Sequence, residues 1–128
     1  MKIKEIVPEL VVKSVQRSIE FYKSELGFTV DEIAPNENSP KWARLSNNNF
    51  NIMLQEYDEA KAEIPLLGNK ITSTVLIVIR IELKNDVKEL YENIKSKLEI
   101  AIEMRETDYG TIEFGLKDPD GYILLISG

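Results

Sequence analysis

A short set of side chains in this 128-residue chain is equipped for chemistry. Trp42 and Arg44 stand two apart in the run Trp42-Ala43-Arg44-Leu45, so a strand there turns both to one face and Ala43 and Leu45 to the other. An indole offers a stacking and cation-π surface and a guanidinium pairs with carboxylates, so such a face suits an aromatic, cationic or carboxylated small molecule. Glu9, Glu56 and Glu113 fall in other extended runs and offer counter-charge. The competing reading makes Trp42 and nearby Phe50 core or interface residues, with Arg44 half of an ordinary ion pair. Histidine and cysteine are both absent. Their absence removes the commonest metal ligand, the side chain best suited to proton transfer near neutral pH, the thiolate nucleophile, the zinc-thiolate site and the disulfide framework.

Composition narrows the classes further. Hydrophobic residues at 43% and charged residues at 30% are the balance of one ordinary globular domain. The 22 acids against 16 bases leave a formal charge of −6, with lysines scattered singly, which argues against nucleic acid because phosphate contacts need clustered cations. The first residues, Met1-Lys2-Ile3-Lys4-Glu5, carry no apolar signal core, and no stretch approaches the length of a membrane span. A cytoplasmic protein without a membrane partner is the expectation.

The elements that must position the candidate residues follow from hydrophobic periodicity. Residues 3–12 read as a strand, Ser14 caps a helix whose apolar positions are Val15, Ile19, Tyr22 and Leu26, and Gly27 ends it in the left-handed region. Strand-like runs follow at 28–33, 42–45 and 50–56, separated by the loop 35–40 and the Asn47-Asn48-Asn49 turn. After a connecting segment the order returns: a β-branched strand at 75–83, a helix capped at Asp86 with its stripe on Val87, Leu90, Tyr91, Ile94 and Leu98, and strands at 100–104, 110–116 and 122–127. The last two are joined by the Asp118-Pro119-Asp120-Gly121 turn. Each half is βαβββ, with module 1 at about 1–57, a linker at about 58–73 and module 2 at about 74–128. Overlaying the two hairpin turns places Leu45 on Leu116, Ile52 on Ile123 and Leu54 on Leu125, a weak internal repeat. A half of this size cannot bury both sheet faces, so the sheets are expected to curve round a shared cleft or to pair with a second subunit.

Several pieces of the sequence resemble one family. Pro8-Glu9-Leu10-Val11-Val12, Arg17-Ser18-Ile19-Glu20-Phe21-Tyr22 and Leu26-Gly27-Phe28 look like the opening of glyoxalase and bleomycin-resistance-type domains, and residues Phe114 to Tyr122 look like their ending. With Trp42-Ala43-Arg44-Leu45 and the repeat, the resemblance to the vicinal oxygen chelate superfamily covers nearly the whole chain. It implies an α+β fold of two βαβββ modules, whose cupped mixed sheet has its helices on the outer face, and a homodimer. It also implies that metal-dependent relatives take one ligand from the first and last strand of each module. Those positions fall here at Val7, Leu54, Ile79 and Leu125, all aliphatic, so the expectation is no metal and no cofactor. On the face these positions share, parity gathers Glu9, Trp42, Arg44, Glu56 and Glu113, with Thr111 beside Glu113. A slip of one residue at Ile79 instead turns Arg80 into the cup; without it, Arg80 pairs with Glu82 or a helix acid.

Three functions follow. The first is a metal-free small-molecule binding protein of the bleomycin-resistance type, with no catalytic residue and with antibiotic resistance as a label only. The second is an enzyme of glyoxalase, dioxygenase or lyase type with shifted carboxylate ligands Glu9, Glu56 and Glu113 around magnesium or manganese. The third is a non-catalytic interaction or regulatory module whose cup is filled.

Overall fold

Glu9–Val12 forms strand β1, and Ser14 stops it by turning to cap the helix that follows, its Oγ accepting from the Arg17 amide at 3.2 Å. Helix α1 (Val15–Leu26) ends at Gly27, whose φ of 68° is the left-handed conformation that glycine adopts without steric cost. Strands β2 (Thr29–Ala34), β3 (Trp42–Asn47) and β4 (Phe50–Glu56) and helix α2 (Tyr57–Glu63) complete this half. The second half runs β5 (Leu76–Arg80), α3 (Lys84–Ile94), β6 (Ile100–Glu106), β7 (Ile112–Lys117) and β8 (Ile123–Ser127). The computed structural model describes residues 1–68, 71 and 75–128. The chain divides into two units, Met1–Ile71 and Thr72–Gly128.

Each unit is one four-stranded mixed sheet, ordered β1-β4-β3-β2 in the first and β5-β8-β7-β6 in the second. In each, the first strand pairs parallel with the last and the remaining pairs are antiparallel, so the βαβββ repeat and the α+β class stand. In the first unit Leu10, Val12, Ala43, Leu45, Ile52 and Leu54 are buried together with Val15, Ile19 and Tyr22 of α1. In the second, Phe114, Leu116, Leu124 and Ile126 are buried with Val87 and Ile94 of α3, and Tyr91 tilts against Phe114 at 5.1 Å. Each such aliphatic side chain contributes about 1.5–3 kcal/mol on leaving water, so these two cores carry the units.

Several boundaries differ from the sequence reading, and three of the differences have a clear local reason. The strand expected over 3–12 is only Glu9–Val12, because its parallel ladder with β4 covers just Met53–Glu56; Ile3 and Ile6 are exposed. Helix α3 begins at Lys84 instead of after Asp86: Leu83 is its cap residue and Asp86 sits in the first turn, where an acid favours the positive end of the helix dipole. The expected linker contains α2, a helix of seven residues with one buried side chain, Ala60, which is too short to show an apolar stripe. Tyr57 Oη donates to the Gly68 carbonyl at 2.7 Å, and Lys61 Nζ donates to the carbonyls of Pro65, at 2.8 Å, and Leu67, tying the loop after α2 back onto it. The rest of the linker call, at 69–70 and 72–73, lies outside the described residues.

Candidate functional site

Cross-strand partners point to the same side of a sheet, so the ladder register decides which residues can share a site. In the first unit Ala43 faces Leu54 and Leu45 faces Ile52, and all four are buried on the side that packs with α1. The opposite, open face carries two rows across the sheet: Glu9, Met53, Arg44 and Glu32, then Val11, Gln55, Trp42 and Ala34. Leu54 is therefore corrected from a pocket wall to a core residue. Glu56, two residues on, leaves that open face with it and pairs with Lys41.

The overlay failed because the two hairpins differ in length. Ile52 lies seven positions after its partner Leu45, where Asn48 at φ 56° helps close a two-residue turn, whereas Leu124 lies eight positions after Leu116. One added residue inverts the side-chain parity of everything after it. Met53, not Leu54, matches Leu125.

A second correction falls on β5. Ile79 faces Ile126 on the α3 side, while Val78 shares the open face with Leu125, Gly115 and Ile102. Arg80 heads the neighbouring row, followed by Ser127, Glu113 and Arg105. Glu113 is 5% exposed, and its Oε1 accepts from Arg105 Nε at 2.9 Å and Nη2 at 2.8 Å, so its charge is balanced inside its own unit. Thr111 hydrogen-bonds with Thr107 in the turn before β7.

On the open face of the first unit a cavity of about 450 Å³ is walled by Trp42, Glu9 and Gln55 from the sheet. Ala34, Pro35 and Lys41 line it at the β2–β3 loop, and Glu59 and Glu63 line it from α2, one helical turn apart. Trp42 Nε1 donates to Glu9 Oε1 at 3.0 Å, and Gln55, only 9% exposed, donates from Nε2 to Glu63 Oε2 at 3.2 Å. Lys41 donates to Glu56. That hydrogen bond holds its ammonium above the usual lysine value of 10.5, against a smaller lowering by desolvation and with help from the charges of Glu56, Glu59 and Asp58. Arg44 lies on the same face without lining the cavity; its Nη2 is 3.3 Å from Glu5 Oε2. A second recess of about 560 Å³, lined by residues of α1, β2 and the loop after it, holds none of the sequence-predicted residues.

Of the five polar residues expected in the cup, the structure thus brings Glu9 and Trp42 into one cavity, keeps Arg44 beside it, and sets Glu56 and Glu113 apart. Sequence reading missed Lys41, Gln55, Glu59 and Glu63. Gln55 was one hairpin residue away from detection, and Asp58-Glu59 followed by Lys61 has the charge order of a short helix. The metal positions are Val7, which precedes β1, and, re-read by register, Met53, Val78 and Leu125. Three alkyl chains and a thioether present no oxygen or nitrogen donor, so a hard divalent ion does not fit them. Among the described residues no three Asp or Glu side chains are grouped so that they could hold a metal ion. No helix among them is long and apolar enough to cross a membrane.

A family model described as Glyoxalase/Bleomycin resistance protein/Dioxygenase superfamily matches residues 2–126. No curated protein sequence gives a significant match. Solved structures similar to the chain include a protein of unknown function from Agrobacterium tumefaciens, with 17% identity, a TM-score of 0.80 and coverage of 99% of this chain and 94% of that one. A glyoxalase-related enzyme from Fulvimarina pelagi has 15% identity, a TM-score of 0.79 and coverage of 98% and 88%. A lactoylglutathione lyase from Agrobacterium tumefaciens has 13% identity, a TM-score of 0.76 and coverage of 99% and 95%. At these identities the likeness is one of fold.

Proposed function

The chain belongs to the Glyoxalase/Bleomycin resistance protein/Dioxygenase superfamily, and from that premise we propose that it is a metal-free small-molecule binding protein whose ligand sits on the open face of the first unit. The observation that carries this reading is the cavity beside Trp42, where the indole is oriented by Glu9 and a buried Gln55 amide is oriented by Glu63. Its volume of about 450 Å³ lies in the range of small-ligand pockets, and its lining sets the Trp42 ring, Ala34 and Pro35 beside the polar side chains of Glu9, Lys41, Gln55, Glu59 and Glu63. No residue here is assigned a catalytic role. Val7, Met53, Val78 and Leu125 supply no set of donors on which a metal-assisted step would depend.

The test is a thermal-shift and titration series on the purified protein with divalent metals and with organic ligands. A ligand that binds only the native state raises apparent stability. Stabilisation by an organic ligand without metal, lost in Trp42→Ala, is the expected result. Stabilisation by magnesium or manganese alone would overturn the reading.

We also propose a cytoplasmic homodimer. Within their own sheets β1 and β5 are edge strands, and Ile6, Leu76 and Val78 on or beside them are exposed, an arrangement that a second copy would relieve. Light scattering across a hundredfold concentration range tests it; a constant monomer mass would count against it.

A further inference from the structure

We propose that the ligand of the Trp42 cavity is an organic monocation, a primary ammonium or guanidinium group joined to a flat apolar body, with Glu59 and Glu63 of α2 as its charge-selecting residues. The proposal rests on the reading of that cavity as the binding site and goes beyond it by naming the ligand's chemistry.

The argument starts from how charge is distributed around the cavity. Three carboxylates line it, Glu9, Glu59 and Glu63, against one cation, Lys41. That cation is engaged by Glu56, which does not line the cavity. The groups that hold two of the lining carboxylates are neutral: the Trp42 indole N–H on Glu9 and the Gln55 amide on Glu63. Neutral donors orient a carboxylate without cancelling its charge, so the cavity keeps a negative potential.

Carboxylates alone would be an ordinary solvated acidic patch. Here they line an open recess beside an indole wall and a buried amide, so the sheet shields one side of any guest from water. The same carboxylates are not grouped as metal ligands, so their charge suits a cation larger than a bare divalent ion. An ammonium brings three donors and a guanidinium five, enough to reach carboxylates on opposite walls, while an attached ring lies along the indole. The α2 helix holds both charge-selecting residues, and its loop is tied down by Tyr57 and Lys61, so they come to the cavity already placed.

Trp42 is the only tryptophan, so its emission reports on this cavity alone. Three probes of similar size and different charge make the test: 2-phenylethylamine, 2-phenylethanol and 3-phenylpropanoate, titrated at pH 7 into the full-length protein. The amine is expected to bind at least tenfold tighter than the alcohol and the acid weakest of the three. Raising salt should weaken the amine alone. Glu59→Gln and Glu63→Gln should each cost the amine about fivefold or more while leaving the alcohol unchanged, with Glu92→Gln as an inert control; this isolates charge, since the alcohol reports whether the cavity is still folded. Equal binding of amine and alcohol, or tighter binding of the acid, would overturn the cationic class while leaving the cavity a binding site. No change in emission with any of the three would overturn both.

Discussion

The indole N–H of Trp42 on β3 reaches the carboxylate of Glu9 on β1 at 3.0 Å, bridging over β4, which lies between them in the sheet. The bond joins the edge strand to the sheet interior on the face that bears the cavity. Trp42→Phe keeps a ring there and removes the donor, so it should lower stability by about 1 kcal/mol in urea titrations. Glu9→Gln keeps an acceptor and should cost less than Trp42→Phe; the reverse order would mean that the bond carries none of the stability.

Leu54 and Met53 are neighbours on opposite faces of β4, and only Leu54 is fully buried. Leu54→Ala should therefore cost about 2–5 kcal/mol, the range for truncating a packed core leucine. Met53→Ala should cost about 1 kcal/mol or less. Equal losses in chemical denaturation would contradict the face assignment.

At Gly115 an added Cβ would lie 3.0–3.2 Å from three atoms of the Ile102 side chain. Gly115→Ala should destabilise by about 1–3 kcal/mol through overpacking. Ile102→Val in the same chain should recover part of that loss, a non-additivity that a double-mutant cycle measures directly.

Glu113 is buried and Arg105, half exposed, covers its charge. Arg105→Met should cost about 1–3 kcal/mol because it strands the carboxylate. Adding Glu113→Gln should restore much of the stability, and failure to do so would assign the loss to Arg105 packing instead.

Lys41 and Tyr91 are two half-buried groups that bear on the alkaline limit. Lys41 is held above its ordinary 10.5 chiefly by its hydrogen bond to Glu56, and Tyr91 above its ordinary 10.0 chiefly by its hydrogen bond to Glu103. In both cases the protonated form is favoured in the folded state, so the contribution is complete below the unfolded value and is lost as pH rises through the folded one. Stability measured by denaturant midpoint should hold up to about pH 10 and then decline. Tyr91→Phe and Lys41→Met should each flatten part of that decline; an unchanged alkaline limb in both would exclude these two pairs as its source.

Much of the framework was legible because its signals are local. Ser14 brackets α1 through its hydroxyl and Gly27 through the left-handed backbone that the lack of a side chain permits, and the strands of both hairpins follow from alternation over four to seven residues. The face of a strand is less secure. Trp42 and Arg44 were placed opposite Ala43 and Leu45 because all four lie within one strand, where parity needs no outside reference. Leu54 rests on parity carried across a turn and Ile79 on counting back from Glu92-Asn93-Ile94 in the helix after it, and a hairpin one residue longer in the second half than in the first inverts the result for Leu54.

The sequence by itself determined two βαβββ units, the ends of α1 and a pattern shared with a known superfamily, since each depends on residues close together in the chain. Only the tertiary structure decided that Glu9 and Trp42 share a cavity with Gln55, that α2 brings Glu59 and Glu63 to it, and that Glu56 and Glu113 belong to other ion pairs. Those outcomes depend on ladder register and on a seven-residue helix held by long side-chain hydrogen bonds, in which a shift of one residue exchanges core for pocket.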